Sequence, residues 1–222
     1  MSRSEEPRRL LVSDFDGTMT QRDFYQVYSE RLMPADAPDF WAEYRAGRMT
    51  HFDALRAIFS YVPAGERTLF GLTAAMGLEP ALFDALAAVR RAEWEVVVVS
   101  AGCRWYIDKL LAGAGVSVEV HANLGKIDDT GRLLMERPTE TQYPSFDVGI
   151  DKAAVVRSHM EAGWTVAFAG DGPPDLGPAL LVPARLRFAK GHLAEALAER
   201  GESFQPFGRW LDIAIALAKT AE

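Results

Sequence analysis

The sequence predicts an α/β protein built on a parallel sheet flanked by helices, and three observations carry that expectation. Three short apolar runs, Leu10-Leu11-Val12, Val96-Val97-Val98-Val99 and Thr165-Val166-Ala167-Phe168-Ala169, stop at Ser13-Asp14, Ser100 and Gly170-Asp171 respectively. The two later runs are rich in β-branched residues, the composition of strands buried on both faces. Helical patterns lie between and after them, and strand alternating with helix implies a parallel sheet.

The elements follow in order. Trp105–Ala114 reads as a helix closed by Gly113 and Gly115, Lys152–Ala162 as one closed by Gly163, and Leu193–Arg200 as one closed by Gly201. Between Thr20 and about Glu93 the character changes. Helical patterns at roughly 22–33, 38–47, 50–61, 65–76 and 79–92 succeed one another without a convincing strand, broken at Pro34, Pro38, Pro63 and Pro80. The expected organisation is a discontinuous core of residues 1–19 and 93–222, interrupted by a helical insert over 20–92. Phe24, Tyr28 and Leu32 recur every four residues, and Phe40, Trp41 and Tyr44 cluster on the next helix; both sets read as packing within the insert. Arg45 and Arg48 read as solvated, with clamping of an anionic substrate tail as the alternative.

Composition excludes several classes of function. A chain of 222 residues with 49% hydrophobic content buries a sizeable core, so disorder is not expected. A net charge of −7 works against attraction to a phosphate backbone, so no nucleic-acid partner is expected. Cys103 is the single cysteine and cannot form an internal disulfide, and no zinc-type spacing links it to His51, His121, His159 or His192. The charged stretch MSRSEEPRR lacks the apolar core of a signal peptide, and no run approaches the length of a membrane span. A cytoplasmic protein without a membrane partner is expected; the oligomeric state is not indicated.

In open parallel sheets ligands sit beyond the carboxyl ends of the strands. Asp14, Ser100 and Asp171 fall at those ends, so three distant segments converge on one site. Residues i and i+2 of an extended segment point the same way, so Asp14 and Asp16 face one ligand together. A lone Asp-Gly is most often a turn. The full D-x-D-G-T arises by chance in about one chain in several hundred of this length, and here it follows a strand. Ser100, with Ala101 and Gly102, brings a hydroxyl and small-residue N–H groups to a strand-to-helix turn, which is both a helix cap and an anion cradle. In GDGPPD an aspartate occupies the middle of G-x-G and would repel a pyrophosphate, so no dinucleotide cofactor is expected. Pro173-Pro174 either stiffens that loop or starts the next helix.

With DFDGT at 14–18, VVVVSAG at 96–102, a lysine in GIDKAAV at 149–155 and GDGPPD at 170–175, the chain resembles the haloacid dehalogenase-like (HAD) superfamily over essentially its whole length. The resemblance implies a HAD-like Rossmannoid parallel sheet, with the first aspartate ending a central strand and a helical cap inserted after it. It implies that Asp14 is a nucleophile forming an aspartyl-phosphate, and that Asp16 protonates the leaving oxygen and later deprotonates water. Superfamily dehalogenases lack an acid at the position of Asp16, so phosphoryl chemistry is implied over carbon–halogen displacement. Lys152 would hold the phosphoryl group and screen the aspartates. Asp14, the backbone carbonyl of Asp16, and Asp171 would bind Mg²⁺, with Asp175 supporting the metal or orienting Lys152. Ser100, Ala101, Gly102 and Thr18 would contact phosphate oxygens, with Gly17 permitting close approach, and Asp23 and Arg104 would select the substrate. Cys103 either lines the pocket or is a small residue at a helix start.

The spacing T-x-T-x-x-D from Thr18 to Asp23, FAKGHL at 188–193 and QPF at 205–207 resemble one branch in particular. It contains phosphoserine-phosphatase-like enzymes and the methionine-salvage phosphatase acting on 2-hydroxy-3-keto-5-methylthiopentenyl-1-phosphate. Val148-Gly149-Ile150-Asp151 lacks the cysteines frequent in the methionine-salvage members. The expected activity is thus a phosphoric monoester hydrolase acting on a small phosphorylated metabolite. The alternatives are a phosphomutase and a noncatalytic phospholigand-binding module.

Overall fold

The run Leu10-Leu11-Val12 forms β1 (Arg9–Ser13), central in a seven-stranded sheet, in the computed structural model, which describes residues 7–219. Residues 1–6 and 220–222, counted in the expected core, lie outside the described residues. Five helices follow: α1 (Phe24–Leu32), α2 (Phe40–Arg45), α3 (His51–Tyr61), α4 (Glu66–Thr73), which runs on into a 3-10 turn, and α5 (Leu82–Arg91). Next come β2 (Trp94–Cys103), α6 (Arg104–Gly113), β3 (Glu119–Ile127), β4 (Leu133–Glu136) and the short β5 (Pro144–Ser145) and β6 (Gly149–Ile150). The chain continues through α7 (Lys152–Glu161), β7 (Thr165–Gly170), α8 (Leu176–Leu181), β8 (Arg187–Ala189), α9 (Gly191–Glu199), β9 (Gln205–Pro206) and α10 (Trp210–Lys219).

The sheet order is β4-β3-β2-β1-β7-β8-β9, parallel throughout except where β4 turns back on β3. Side chains of a strand alternate between faces, and the core divides accordingly. Leu11, Val96, Val98, Ala167 and Ala169 enter one apolar layer, whereas Leu10, Val12, Val97, Val99, Val166 and Phe168 enter the other. Both faces are covered, which is why these runs are apolar without alternation.

Two expectations need correction. The second strand does not stop at Ser100; it continues through Ala101 and Gly102 to Cys103, because these small residues stay buried in the sheet. The strands β3, β4, β8 and β9 have no counterpart in the sequence reading. Every expected helix of the insert is present, within a few residues at each end. The fifth, α5, lies against β2 and α10 through Leu82, Ala85, Leu86 and Val89.

The other helices of the insert pack through aromatic residues. Phe24 of α1 meets Phe59 of α3 at 5.3 Å between ring centroids, and stacks on Tyr106 of α6 at 4.4 Å. Tyr28 donates its hydroxyl to the carbonyls of Phe59 and Val62, each at 3.2 Å, and accepts from the Val62 N–H at 3.1 Å. The two chain crossings beneath these helices are paired, Thr20 bridging to Leu78 and the Gln21 N–H donating to the Met76 carbonyl at 2.9 Å. Among the described residues no helix is long and apolar enough to cross a membrane.

Candidate active site

Ser13 of β1 stands opposite Ala169 of β7, so the residues that follow leave the sheet side by side. The Asp14 N–H donates to the Ala169 carbonyl at 2.9 Å, extending the ladder one step past the strand. Asp14 Oδ1 then accepts from Lys152 Nζ at 2.7 Å, and the same ammonium donates to Asp175 Oδ1 at 2.6 Å. Helix N-termini disfavour cations, yet Lys152 occupies the first turn of α7 with its side chain only 3% exposed. The two carboxylates hold it there, and Asp151 caps the helix by accepting from the Ala154 N–H at 2.8 Å. Burial opposes the Lys152 charge, but Asp14 and Asp175 outweigh it and hold its pKa above the ordinary lysine range.

Asp175 orders the loop as well as the lysine. Its Oδ2 accepts from the N–H groups of Asp171 and Gly172, both at 3.0 Å. Pro173 and Pro174 begin a 3-10 turn ending at Asp175, so of the two roles open to this pair they initiate helical structure. Thr18 is buried with its hydroxyl donated to Asp171 Oδ1 at 2.7 Å; the structure places it on that carboxylate and not in the cavity. The close approach depends on Gly17, which adopts φ 71°. A Cβ there would lie 2.2 Å from Asp171 Oδ2.

Asp16 is held separately. One oxygen accepts from the Phe24 N–H at 3.0 Å, the other from the Tyr106 hydroxyl at 2.8 Å and the Ser100 hydroxyl at 3.3 Å. Burial raises its pKa, and these hydrogen bonds pull against the rise. Asp14 is pushed well above the carboxylate range by burial and then by Asp175, with Lys152 opposing. Asp171 is raised to about 6 by burial and by Asp175, with the Thr18 hydrogen bond opposing. Asp14, Asp171 and Asp175 each offer an oxygen within 4.8 Å of the others. That many anions around one ammonium call for a further cation, and hard carboxylate oxygens fit a divalent ion of the Mg²⁺ kind. The Asp16 carboxylate does not belong to this group; its expected share is a backbone carbonyl.

Ser100, Ala101 and Gly102 line the cavity, with the Gly102 N–H donating to Ser100 Oγ at 2.9 Å. A Cβ on Gly102 would fall 2.5 Å from Asp16 Oδ2 and 2.0 Å from the Tyr106 oxygen, so only glycine fits. Asn123 fastens this segment from behind, donating to the carbonyls of Ala101 at 2.8 Å and Val148 at 2.9 Å. Cys103 is fully buried against Leu124, its thiol pushed up to about 12 by burial; it is the small residue before a helix, not a pocket residue.

Arg104 is a correction. Its guanidinium turns away from the cavity to Asp108 at 3.0 Å and the Val120 carbonyl at 3.3 Å, because the first residue of α6 faces the adjoining strand and not the strand ends. Asp23, at the N-terminus of α1, does line the cavity. Burial first, then Asp16, Asp171 and Asp175, push its pKa up to about 8.

The cavity measures about 520 Å³, with Asp14, Asp16, Lys152 and Asp171 on its floor. Its roof is Tyr25, Trp41, Tyr44 and His51. Trp41 and Tyr44 therefore face the site as well as packing within the insert, a second correction. Arg45 reaches the mouth, exposed and paired with Asp39 at 3.4 Å, while Arg48 pairs with Glu43 at 2.5 Å away from it. Tyr106, Tyr25 and His51 were not singled out in the sequence. Tyr106 had a usable signal, a hydroxyl-bearing ring in the first turn after the Ser100 segment; Tyr25 and His51 had none. Burial holds the His51 pKa down to about 4, so the ring is neutral. Its Nδ1 and the Trp41 Nε1 are buried with no hydrogen-bond partner among the described residues.

The model of the haloacid dehalogenase-like hydrolase family matches residues 11–179. The chain belongs to that family of hydrolases. A substrate-bound phosphoserine phosphatase superposes with a TM-score of 0.66 at 16% identity, covering 95% of this chain and 98% of that one. A HAD family hydrolase from Salmonella enterica serovar Typhi gives 0.65 at 14% identity over 90% and 68% of the two chains. A cytosolic 5'-nucleotidase IIIB bound to cytidine gives 0.57 at 15% identity over 96% and 85%. These likenesses establish the shared fold. No curated protein matches the chain.

Proposed function

We propose that the chain is a Mg²⁺-dependent phosphatase that hydrolyses a small phosphomonoester through an aspartyl-phosphate on Asp14. The observation carrying this reading is the division of the floor. Asp14 shares Lys152 with Asp175 beside Asp171, while Asp16 stands apart on Phe24, Tyr106 and Ser100. Asp14 attacks phosphorus while Lys152 holds the phosphoryl oxygens. Asp16, its pKa raised by burial, carries the proton that the leaving oxygen takes and recovers it from the incoming water. Asp14, Asp171 and Asp175, with the Asp16 carbonyl, would hold Mg²⁺, which supplies charge neutralisation for the phosphoryl group. The N–H groups of Ala101 and Gly102 and the Ser100 hydroxyl would face its outer oxygens.

The insert over 20–92 acts as a cap that excludes water from the transfer. The phosphoserine phosphatase neighbours support an ester of the phosphoserine kind, and the T-x-T-x-x-D, FAKGHL and QPF segments keep the methylthiopentenyl phosphate beside it. The acidic balance and the lone buried thiol support a metabolite partner in the cytoplasm, without nucleic acid or membrane. The test is phosphate release from p-nitrophenyl phosphate and a metabolite panel in Mg²⁺ and again in EDTA. Metal-dependent release is expected; silence across the whole panel with metal present would contradict the proposal.

A further inference from the structure

The roof carries more aromatic surface than the protein itself covers. Helix α2 holds Phe40, Trp41 and Tyr44, yet none of its residues is fully buried. Rings that only packed a helix internally would be enclosed. Here Trp41 and Tyr44 line the cavity beside Tyr25 of α1 and His51 of α3, and all four are only half-buried. The four rings brace one another edge-on or tilted. Their centroids lie 4.9 Å apart for Tyr25 and Trp41, 5.6 Å for Trp41 and Tyr44, 5.1 Å for Trp41 and His51, and 5.5 Å for Tyr44 and His51. A wall braced in this way is formed before a ligand arrives, which lowers the ordering cost of binding.

Charge of either sign is disfavoured at this wall. Burial holds the His51 ring neutral, with a pKa of about 4, and burial first, then Asp23, lifts the Tyr25 phenol above its ordinary range. The basic side chains that line the cavity are already engaged, Lys152 by Asp14 and Asp175, Arg45 by Asp39 and His192 by Glu195. An anionic leaving group therefore meets no free cation among the described residues of the lining. The cavity, at about 520 Å³, has the size of a small-molecule site, and such sites are lined mainly by apolar and aromatic groups. Resting on the phosphatase reading above, we propose that the substrate is the phosphate ester of an alcohol bearing an uncharged aromatic ring, the phosphoryl group on the floor and the ring against Tyr25, Trp41 and Tyr44. Aromatic rings prefer offset or edge-on contact, and a ring from the ligand completes the surface that α2 leaves open. The site thus selects arylmethyl-type esters over phosphoserine and over saturated esters of the same shape.

Four esters test this: benzyl phosphate, its saturated counterpart cyclohexylmethyl phosphate, phosphoserine and choline phosphate. The first two release primary alcohols of similar size and acidity, so they differ mainly in the ring. Benzyl phosphate should exceed cyclohexylmethyl phosphate in kcat/KM by about three- to tenfold, the range that an aromatic pair adds beyond its buried area, and should exceed both charged esters. Trp41→Leu should bring the benzyl-to-cyclohexylmethyl ratio close to one by raising KM for the benzyl ester, with cyclohexylmethyl phosphate turnover as the internal control for folding, and Trp41→Phe should keep the ratio. If Trp41→Leu loses both esters together, Tyr44→Leu carries the same comparison with the same expected fall. A ratio near one in the wild type, a ratio unmoved by these leucine variants, or phosphoserine or choline phosphate as the preferred ester would overturn the inference, while metal-dependent phosphate release left the phosphatase reading standing. Calorimetry on the Asp14→Asn protein separates the two further. Tighter binding of benzyl phosphate than of its saturated counterpart, without hydrolysis of any ester by the wild type, would support the aromatic site and overturn the phosphatase reading. Equal or undetectable binding of both would overturn the aromatic site.

Discussion

The floor and the roof of the cavity handle their polar groups in opposite ways. On the floor the groups hold one another: Lys152 between Asp14 and Asp175, Thr18 on Asp171, the loop amides on Asp175, Tyr106 on Asp16. On the roof, Trp41 Nε1 and His51 Nδ1 are buried with no hydrogen-bond partner among the described residues. A network whose groups hold one another is ordered before any substrate arrives, even where its carboxylates still call for a further cation, and such preorganisation suits reacting groups. Unmatched groups cost stability until a ligand meets them, which suits recognition. Under the proposed function, the floor would serve any phosphomonoester and the roof would choose among them.

The largest effects should come from the floor and should fall on every ester alike. Asp14→Asn is expected to lower kcat by about 10³-fold or more, the scale of a lost nucleophile, with the thermal transition nearly unmoved. Lys152→Met should unfold the protein earlier as well as slow it. It leaves Asp14 and Asp175 buried without their shared ammonium, and breaking a buried pair costs roughly 3–5 kcal/mol. Denaturant titration reads that loss, and an unchanged midpoint would mean the network is not preorganised by charge.

A subtler floor variant separates proton transfer from attack. Asp16→Asn should cost alkyl phosphates about 10²-fold or more, but p-nitrophenyl phosphate far less, because nitrophenolate leaves without a proton. Equal losses on both would remove Asp16 from the role of acid.

On the roof the expected effects are smaller. His51 has a folded-state pKa near 4, below the ordinary value, because burial disfavours its charged form. Its neutral ring therefore favours the fold fully above about pH 6.5, and that contribution is lost as pH falls towards 4. The linkage amounts to roughly 2–3 kcal/mol, and His51→Gln should flatten stability across this window. The smallest effect is expected at Arg104→Ala. Its pair with Asp108 is exposed, so kcat/KM should stay within about twofold; a large rise in KM would return Arg104 to the site.

The same division explains what the sequence revealed. Floor residues follow strand ends within contiguous motifs, so Asp14, Asp16 and Asp171 were legible from apolar runs and the residues that stop them, whereas Lys152 was legible only through the family resemblance. The roof was not. Trp41, Tyr44 and His51 come from α2 and α3, and helical periodicity shows which residues face inwards without showing whether neighbour or cavity lies there. In the fold, β1 and β7 were legible because both faces are buried, and β2 was legible up to Ser100. β3 mixes buried Val120, Ala122 and Asn123 with exposed Glu119 and Leu124, and β8 has only three residues, so neither gave a periodic signal. Arg104 misled because sequence adjacency to Ser100 does not say which way the first residue of a helix turns.

The most direct test of the central claim is to mix the protein with a turned-over phosphomonoester in Mg²⁺, quench with acid within one turnover, and locate any adduct by peptide mass spectrometry. The mass of one phosphoryl group on the peptide containing Asp14, absent from the Asp14→Asn protein, is the expected result. Turnover at an undiminished rate by Asp14→Asn, or an adduct confined to some other residue, would contradict the account.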